Sequence, residues 1–209
     1  MAIAVDEDFS FRFCCDSSRC TLACCHGHAI VLNPYEVLRI KEHLGLSSEE
    51  LEERYLLSYY DPSGLPLLML SRDPCPFLKG RRCSIYPARP LACRLFPLGR
   101  LCDTEVKTVF MADACCPGIG RGERLDLSEY IAEQEAEEYV AMWERWVSFV
   151  EAVEEAEPSG MRQVFLKILL YNFDFSPKGA ELSASPEEQF LTRLALAEEL
   201  ISRTGAEAK

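Results

Sequence analysis

Three absences narrow the chain's chemistry before any motif is read. No apolar run approaches the ~20 residues that cross a bilayer, so a membrane-spanning helix is not expected. The start, MAIAVDEDFSF, has neither a basic opening nor an apolar h-region, so no signal peptide is expected and a cytoplasmic location follows. Basic charge is scarce: 22 Lys and Arg face 34 Asp and Glu, a net charge of −12. Such a surface repels nucleic acid and anionic lipid, so neither is expected as a partner. Catalytic signatures are missing too. There is no Gly-rich nucleotide loop, no H-E-x-x-H and no nucleophile elbow. GIGRG at 118–122 has the wrong spacing and reads as a loop.

What remains is a chain of 209 residues, 48% hydrophobic, enough for one globular domain with a helical extension. Its charge is uneven. Residues 1–122 carry 14 Lys and Arg against 15 Asp and Glu; residues 123–209 carry 8 against 19. The seam follows Cys116, where the cysteines stop. Two parts are expected: a cysteine-cluster metal-binding domain at 1–122, and an acidic helical region at 123–209 packed on it. Acidic helices of this kind could dock a basic protein partner.

Capping chemistry places the helices. In NPYEVLRIKEHLGL, Asn33 caps, Pro34 suits the first turn, Glu36 completes a capping box and Gly45 stops the helix. SSEELEERYL repeats the logic with Ser47 and Glu50. LPLLML after the DPSG turn reads as a strand, and FSFRF as another. Residues 125–160 read as one long helix, capped by Asp126 and ended by Pro158 and Gly160. Tyr139, Trp143, Trp146, Val150 and Val153 form its apolar face. MRQVFLKILLYNF and SPEEQFLTRLALAEELISR read as two further helices, and TGAEAK as a frayed end. Residues 73–122 lack helical periodicity and read as irregular loops without a core of their own. The expected class is mainly α, with irregular cysteine-rich, metal-bound loops, few short strands and a C-terminal helical extension.

Eleven cysteines dominate the first part. An odd number cannot be used up by disulfides within one molecule, and a reducing compartment disfavours them. Thiolate is a soft donor for zinc, copper(I) and iron–sulfur clusters. Cys14, Cys15, Cys20, Cys24 and Cys25 form a dense group; Cys75, Cys83, Cys93, Cys102, Cys115 and Cys116 follow dispersed. Metal ligation could supply the free energy such loops lack, roughly 10–16 kcal/mol in small zinc modules. Neighbouring side chains point apart, so Cys24 and Cys25 suit two nearby centres, or one ligand and one supporting thiol. Cys102 reads as a buried free thiol. Covalent haem is excluded, because Leu22 stands where C-x-x-C-H needs its first cysteine. His26 and His28 read as solvated or supporting groups. Residues 79–100 hold six basic residues and no acid. Guanidinium groups there would offset thiolate charge, with Arg89 and Arg94 in a structural or supporting role.

FRFCCDSSRCTLACC, LNPYEVLRIKEHLGL, CPFLKGRRCSIYPARPLACRLFP and CPGIGRG, in this order, resemble the bacterial cysteine-cluster proteins of the YkgJ family, the CxxCxxCC domain. The resemblance implies a zinc- or iron-chelating domain with eight ligand cysteines. Carried over motif by motif they are Cys15, Cys20, Cys24, Cys25, Cys75, Cys83, Cys93 and Cys116, leaving Cys14, Cys102 and Cys115 as extras. The front spacing here is C-x4-C-x3-C-C, similar to that of flagellin lysine N-methylases, which share the domain. Three functions follow as expectations. The first is a cysteine cluster holding iron, as an iron–sulfur cluster, with zinc as the near alternative. The second is an iron–sulfur-dependent group-transfer enzyme. The third is a zinc-folded interaction module.

Overall fold

The structure is a computed structural model. It describes residues 4–5, 9–15, 20, 22–70, 73–102, 107–111, 116–156, 158, 160–177 and 181–205; at 4–5, 100–102, 107–111, 154–156 and 203–205 it describes backbone alone. Along the chain run β1 (Ala4–Val5), β2 (Ser10–Phe13), a 3-10 turn (Ala23–Cys25), β3 (Ile30–Leu32), α1 (Pro34–Leu44), α2 (Ser48–Tyr55), β4 (Leu57–Tyr60) and β5 (Pro66–Leu70). There follow β6 (Leu78–Lys79), β7 (Arg82–Cys83), a second 3-10 turn (Tyr86–Ala88), α3 (Leu91–Leu95), β8 (Leu98–Cys102), β9 (Lys107–Met111) and β10 (Ile119–Asp126). The chain ends in α4 (Leu127–Glu133), α5 (Glu137–Ala156), α6 (Met161–Tyr171) and α7 (Pro186–Gly205). More of these residues are helical than extended, so the class is mainly α. The strands are short, antiparallel and more numerous than expected, in four small sheets among the described residues. No helix among the described residues is long and apolar enough to cross a membrane.

Two compact units are distinguished: Met1–His28 with Arg72–Ala141, and Ala29–Ser71 with Met142–Lys209. All eleven cysteines belong to the first unit and both tryptophans to the second.

The second unit is built from well-capped helices and one sheet. Asn33 accepts from the Glu36 N–H at 2.9 Å, and Glu36 accepts from the Asn33 N–H at 3.1 Å. The capping box thus satisfies two N–H groups that the first helical turn leaves orphaned. Ser47 and Glu50 do the same for α2. Gly45 stops α1 with φ of 64°, a left-handed conformation that glycine adopts without a Cβ clash. In β5 every second residue, Pro66, Leu68 and Leu70, is buried, as an alternating strand with one core face requires. β5 lies between β3 and β4, with Leu32 opposite Leu68 and Leu57 opposite Met69. The core gathers Leu32, Tyr35, Ile40, Leu51, Trp146, Phe149, Leu166 and Phe190, all at most 2% exposed. Each fully buried side chain of this kind contributes about 1.5–3 kcal/mol. Trp143 donates to the buried Glu36 carboxylate at 2.8 Å, tying α5 to α1. Arg193 of α7 donates to the Leu169 and Phe175 carbonyls at 2.8 and 2.6 Å. Burial pushes its pKa down to about 10.

The first unit corrects two expectations. Residues 73–122 are not coreless loops. Phe77, Ile85, Leu95 and Leu98 are buried there, and Phe11, Phe13 and Tyr130 pack edge to face, with Tyr130 0% exposed. Within 73–122 these apolar residues are spread over turns, the five-residue α3 and the start of β8, too short for a periodic signal. Nor is 125–160 a single helix. Asp126 caps α4 as expected, with Glu129 completing the box, but the helix breaks at Gln134–Ala136. Glu135 adopts φ of 52°, Ala136 is fully buried, and α5 restarts at Glu137. On α5, Tyr139, Trp146 and Val153 are buried, together with Met142 and Phe149; Trp143 and Val150 are half-buried. The cause of the break is tertiary: two arginines of the cysteine segment take the end of α4, as described next.

Candidate metal centre

Local geometry brings distant cysteines together in three steps. In the first, β2 and β10 pair antiparallel, Phe13 opposite Ile119, and the Cys14 N–H donates to the Gly118 carbonyl at 3.1 Å. Cys15 and Cys116, a hundred residues apart in sequence, become neighbours at the end of this ladder. Two glycines permit the approach. A Cβ on Gly118 would lie 2.7 Å from the Phe13 ring and 2.8 Å from the Cys14 carbonyl oxygen. One on Gly122 would lie 2.8 Å from the Phe13 carbonyl oxygen, and Gly122 has φ of 76°.

In the second step, Leu22 in the left-handed region (φ 63°) opens the first 3-10 turn, and its N–H donates to the Cys20 sulfur at 3.2 Å. The turn places the Cys24 and Cys25 sulfurs 3.8 Å apart. The expectation that neighbouring side chains point apart does not hold for this pair: the tight turn, unlike a strand, lets adjacent side chains converge.

In the third step, the Cys75 N–H donates to the Cys25 carbonyl at 2.9 Å. Cys75 then opens the β6–β7 hairpin, which turns at Gly80 (φ 62°) and sets Cys83 opposite Leu78. Backbone N–H groups of Phe77 and Leu78 face the Cys75 sulfur, and that of Ile85 faces the Cys83 sulfur; each favours the thiolate. Arg81 reaches back to the Cys20 carbonyl at 2.6 Å.

Electrostatics identify which thiols sense one another. Loss of hydration raises the Cys15 pKa first, then the charges of Cys20, Cys24 and Cys116 raise it further. Burial raises Cys75 and Cys83, with Cys24 adding to both. Cys24 is raised above all by its hydrogen bond with Cys25, then by burial. Cys24 thus stands between Cys15 and Cys25 of its own segment and Cys75 and Cys83 of the hairpin. The Arg89 guanidinium opposes these shifts at Cys15, Cys24 and Cys83 alike.

Arg89 is held for that task. It donates to the Tyr86 carbonyl at 2.8 Å and to the Gln134 side-chain oxygen at 3.2 Å, with its charge 4.0 Å over the Tyr86 ring. Arg94, 2% exposed, donates to the carbonyls of Arg89, Gln134 and Pro87 at 3.1, 2.8 and 2.6 Å. Its guanidinium lies 4.1 Å over the Tyr139 ring. It clamps the α4 break to the second 3-10 turn, and so positions Arg89. Gln134 and Tyr130 escaped the sequence reading. Gln134 acts largely through its backbone carbonyl, which no sequence pattern displays. Tyr130 donates to the Phe96 carbonyl at 2.8 Å, and burial followed by the Cys15 charge raises its pKa.

The other residues fall as follows. Cys93 sits half-buried on the short helix α3, its N–H bonded to the Pro90 carbonyl at 2.9 Å. Cys14 is exposed. The backbone of Cys102 pairs with Lys107, while its side chain and the whole of Cys115 lie outside the described residues. The His26 ring meets the Asp73 carboxylate at 2.9 Å, and His28 lies 5.9 Å from the Phe96 ring. None of the nine cysteines whose side chains are described is joined in a disulfide.

Does this donor set fit zinc or iron? By chemistry it does: soft thiols, N–H groups aimed at sulfur, and a fixed guanidinium to balance their charge. Among the described residues, no three Cys, His, Asp or Glu side chains stand together in ligating geometry, so the mutually sensing thiols of Cys15, Cys20, Cys24, Cys25, Cys75, Cys83 and Cys116 do not close on a point.

A chain that collects thiols from distant parts of its sequence around an arginine belongs to the cysteine-cluster class. Residues 14–117 match the CxxCxxCC family, described as a "putative zinc- or iron-chelating domain", and the chain is a member of that family through this segment. No solved structure matches the chain.

Proposed function

We propose that Cys15, Cys20, Cys24, Cys25, Cys75, Cys83, Cys93 and Cys116 hold iron as an iron–sulfur cluster. One observation carries this reading: Arg89 bears at once on Cys15 and Cys24 of the first cysteine group and on Cys83 of the hairpin some sixty residues away. A cation shared in this way suits a single polynuclear, anionic centre, whose potential such charges and N–H donors tune. Zinc is the competing metal. The Cys75–Cys83 hairpin, with N–H groups aimed at both sulfurs, suits a closed four-thiolate zinc site equally well. When bound, an iron–sulfur cluster would supply one-electron chemistry and zinc a structural staple. A reducing, cytoplasmic setting keeps the thiols available to either.

Protein purified anaerobically is expected to be brown, with iron and acid-labile sulfide in equal amounts. A colourless protein carrying stoichiometric zinc overturns iron in favour of the structural site. Cys24→Ser and Cys93→Ser should each lower the metal content, while Cys102→Ser should leave it unchanged. Equal loading of all three variants defeats the ligand set.

A further inference from the structure

Among the described residues nine large hydrophobic side chains are exposed, and seven of them lie on β4 and α6. Strand β4 is the end of its three-stranded sheet: it pairs with β5 on one side and with no described strand on the other. All four of its residues, Leu57, Ser58, Tyr59 and Tyr60, are exposed. An open edge offers a row of backbone donors and acceptors, and natural edges are usually guarded by lysine, proline or a bulge. β4 has none of these; Pro66, opposite Tyr60, lies on the inner strand. On α6, Met161, Phe165 and Ile168 form an exposed stripe opposite the buried Leu166 and Leu170. α6 packs on β5, the strand beside this edge. Its Lys167 bonds Glu52 of α2 at 2.6 Å, and α2 runs directly into β4.

Charge selects the occupant. α2 carries Glu49, Glu50, Glu52 and Glu53 against Arg54, and Asp61 follows β4. Glu49 and Glu53 are exposed. A second copy of this chain would bring the same acids and a net charge of −12 against them. We propose that β4 is a docking edge for an extended, basic segment of a partner protein, which adds a strand beside Leu57–Tyr60 and lays apolar side chains against α6. Main-chain bonds supply affinity, the aromatic and aliphatic side chains supply fit, and the flanking carboxylates supply steering. The proposal does not depend on which metal the thiols hold.

The test titrates the metal-loaded full chain with a short synthetic peptide alternating lysine with valine, followed by calorimetry at low and high salt. Binding is expected, weakened by salt. It should fall about tenfold in Leu57→Lys and in Phe165→Ser, both exposed positions whose variants keep the parent melting temperature and metal content. A lysine–serine peptide of equal charge should bind at least tenfold more weakly. No binding of the lysine–valine peptide overturns the proposal, as does equal binding by either variant or by the lysine–serine peptide. Concentration-dependent dimers that Leu57→Lys abolishes would assign the edge to a second copy instead.

Discussion

Arg94 and Arg89 show how two neighbouring guanidinium groups divide their labour. Arg94 spends its donors on three carbonyls and touches the protein's interior, whereas Arg89 directs its charge at thiols. Arg94→Ala is expected to cost about 3 kcal/mol, because buried carbonyls lose their donors, and a urea midpoint measures it. Arg89→Gln, which also loses donors to the Tyr86 carbonyl and to Gln134, should cost about 1 kcal/mol and in addition lower metal retention against a chelator. If both variants lose only stability, Arg89 has no electrostatic role. The thiols give a pH signature. Burial holds Cys75 and Cys83 above the ordinary thiol range in the folded chain. A group raised on folding stabilises fully below its unfolded pKa, about 8.5 for a thiol, and that contribution is lost as pH rises through the folded value. Metal-free protein should therefore lose melting temperature above about pH 8.5. Metal-loaded protein, its thiolates already formed, should show a flatter profile there.

At the level of elements, the joints matter more than the helices. β2 and β10 meet because Gly118 and Gly122 lack a Cβ, so Gly118→Ala must push apart the strand ends that bear Cys15 and Cys116. Its metal content should fall while the far-ultraviolet signal of the helices persists. The break between α4 and α5 is a second joint. Glu135 is left-handed, so Glu135→Val should cost about 1–2 kcal/mol, while Glu135→Gly should be close to neutral. Equal stability of the two variants in urea would remove the backbone account of the break. The capping boxes at Asn33 and Ser47 and the cap at Asp126 were legible because each is a local pattern, a side-chain acceptor at the start of an apolar-periodic run. The α4 break was not, because Arg89 and Arg94 reach Gln134 from forty or more residues away.

For the whole molecule, the separation of cysteines from tryptophans makes metal dependence testable by light. Trp143 and Trp146 lie in the second unit, whose core contains no cysteine. Stripping the metal should change thiol reactivity and melting of the first unit, while tryptophan emission keeps its folded maximum. A red shift that coincides with metal loss would show that both units depend on it. Sequence by itself determined the chemistry: eleven thiols, the order of motifs that carries family membership, the caps and the acidic excess, all properties of residue type and short spacing. Only the tertiary structure decided the neighbours. It set Cys15 beside Cys116, turned Cys24 toward Cys25, grouped residues 29–71 with the C-terminal helices, and gave the cysteine segment an aromatic floor. The reason is that antiparallel pairing and burial depend on contacts between distant residues. An alternating stretch such as FSFRF can announce a strand, but nothing in it names the strand it will pair with.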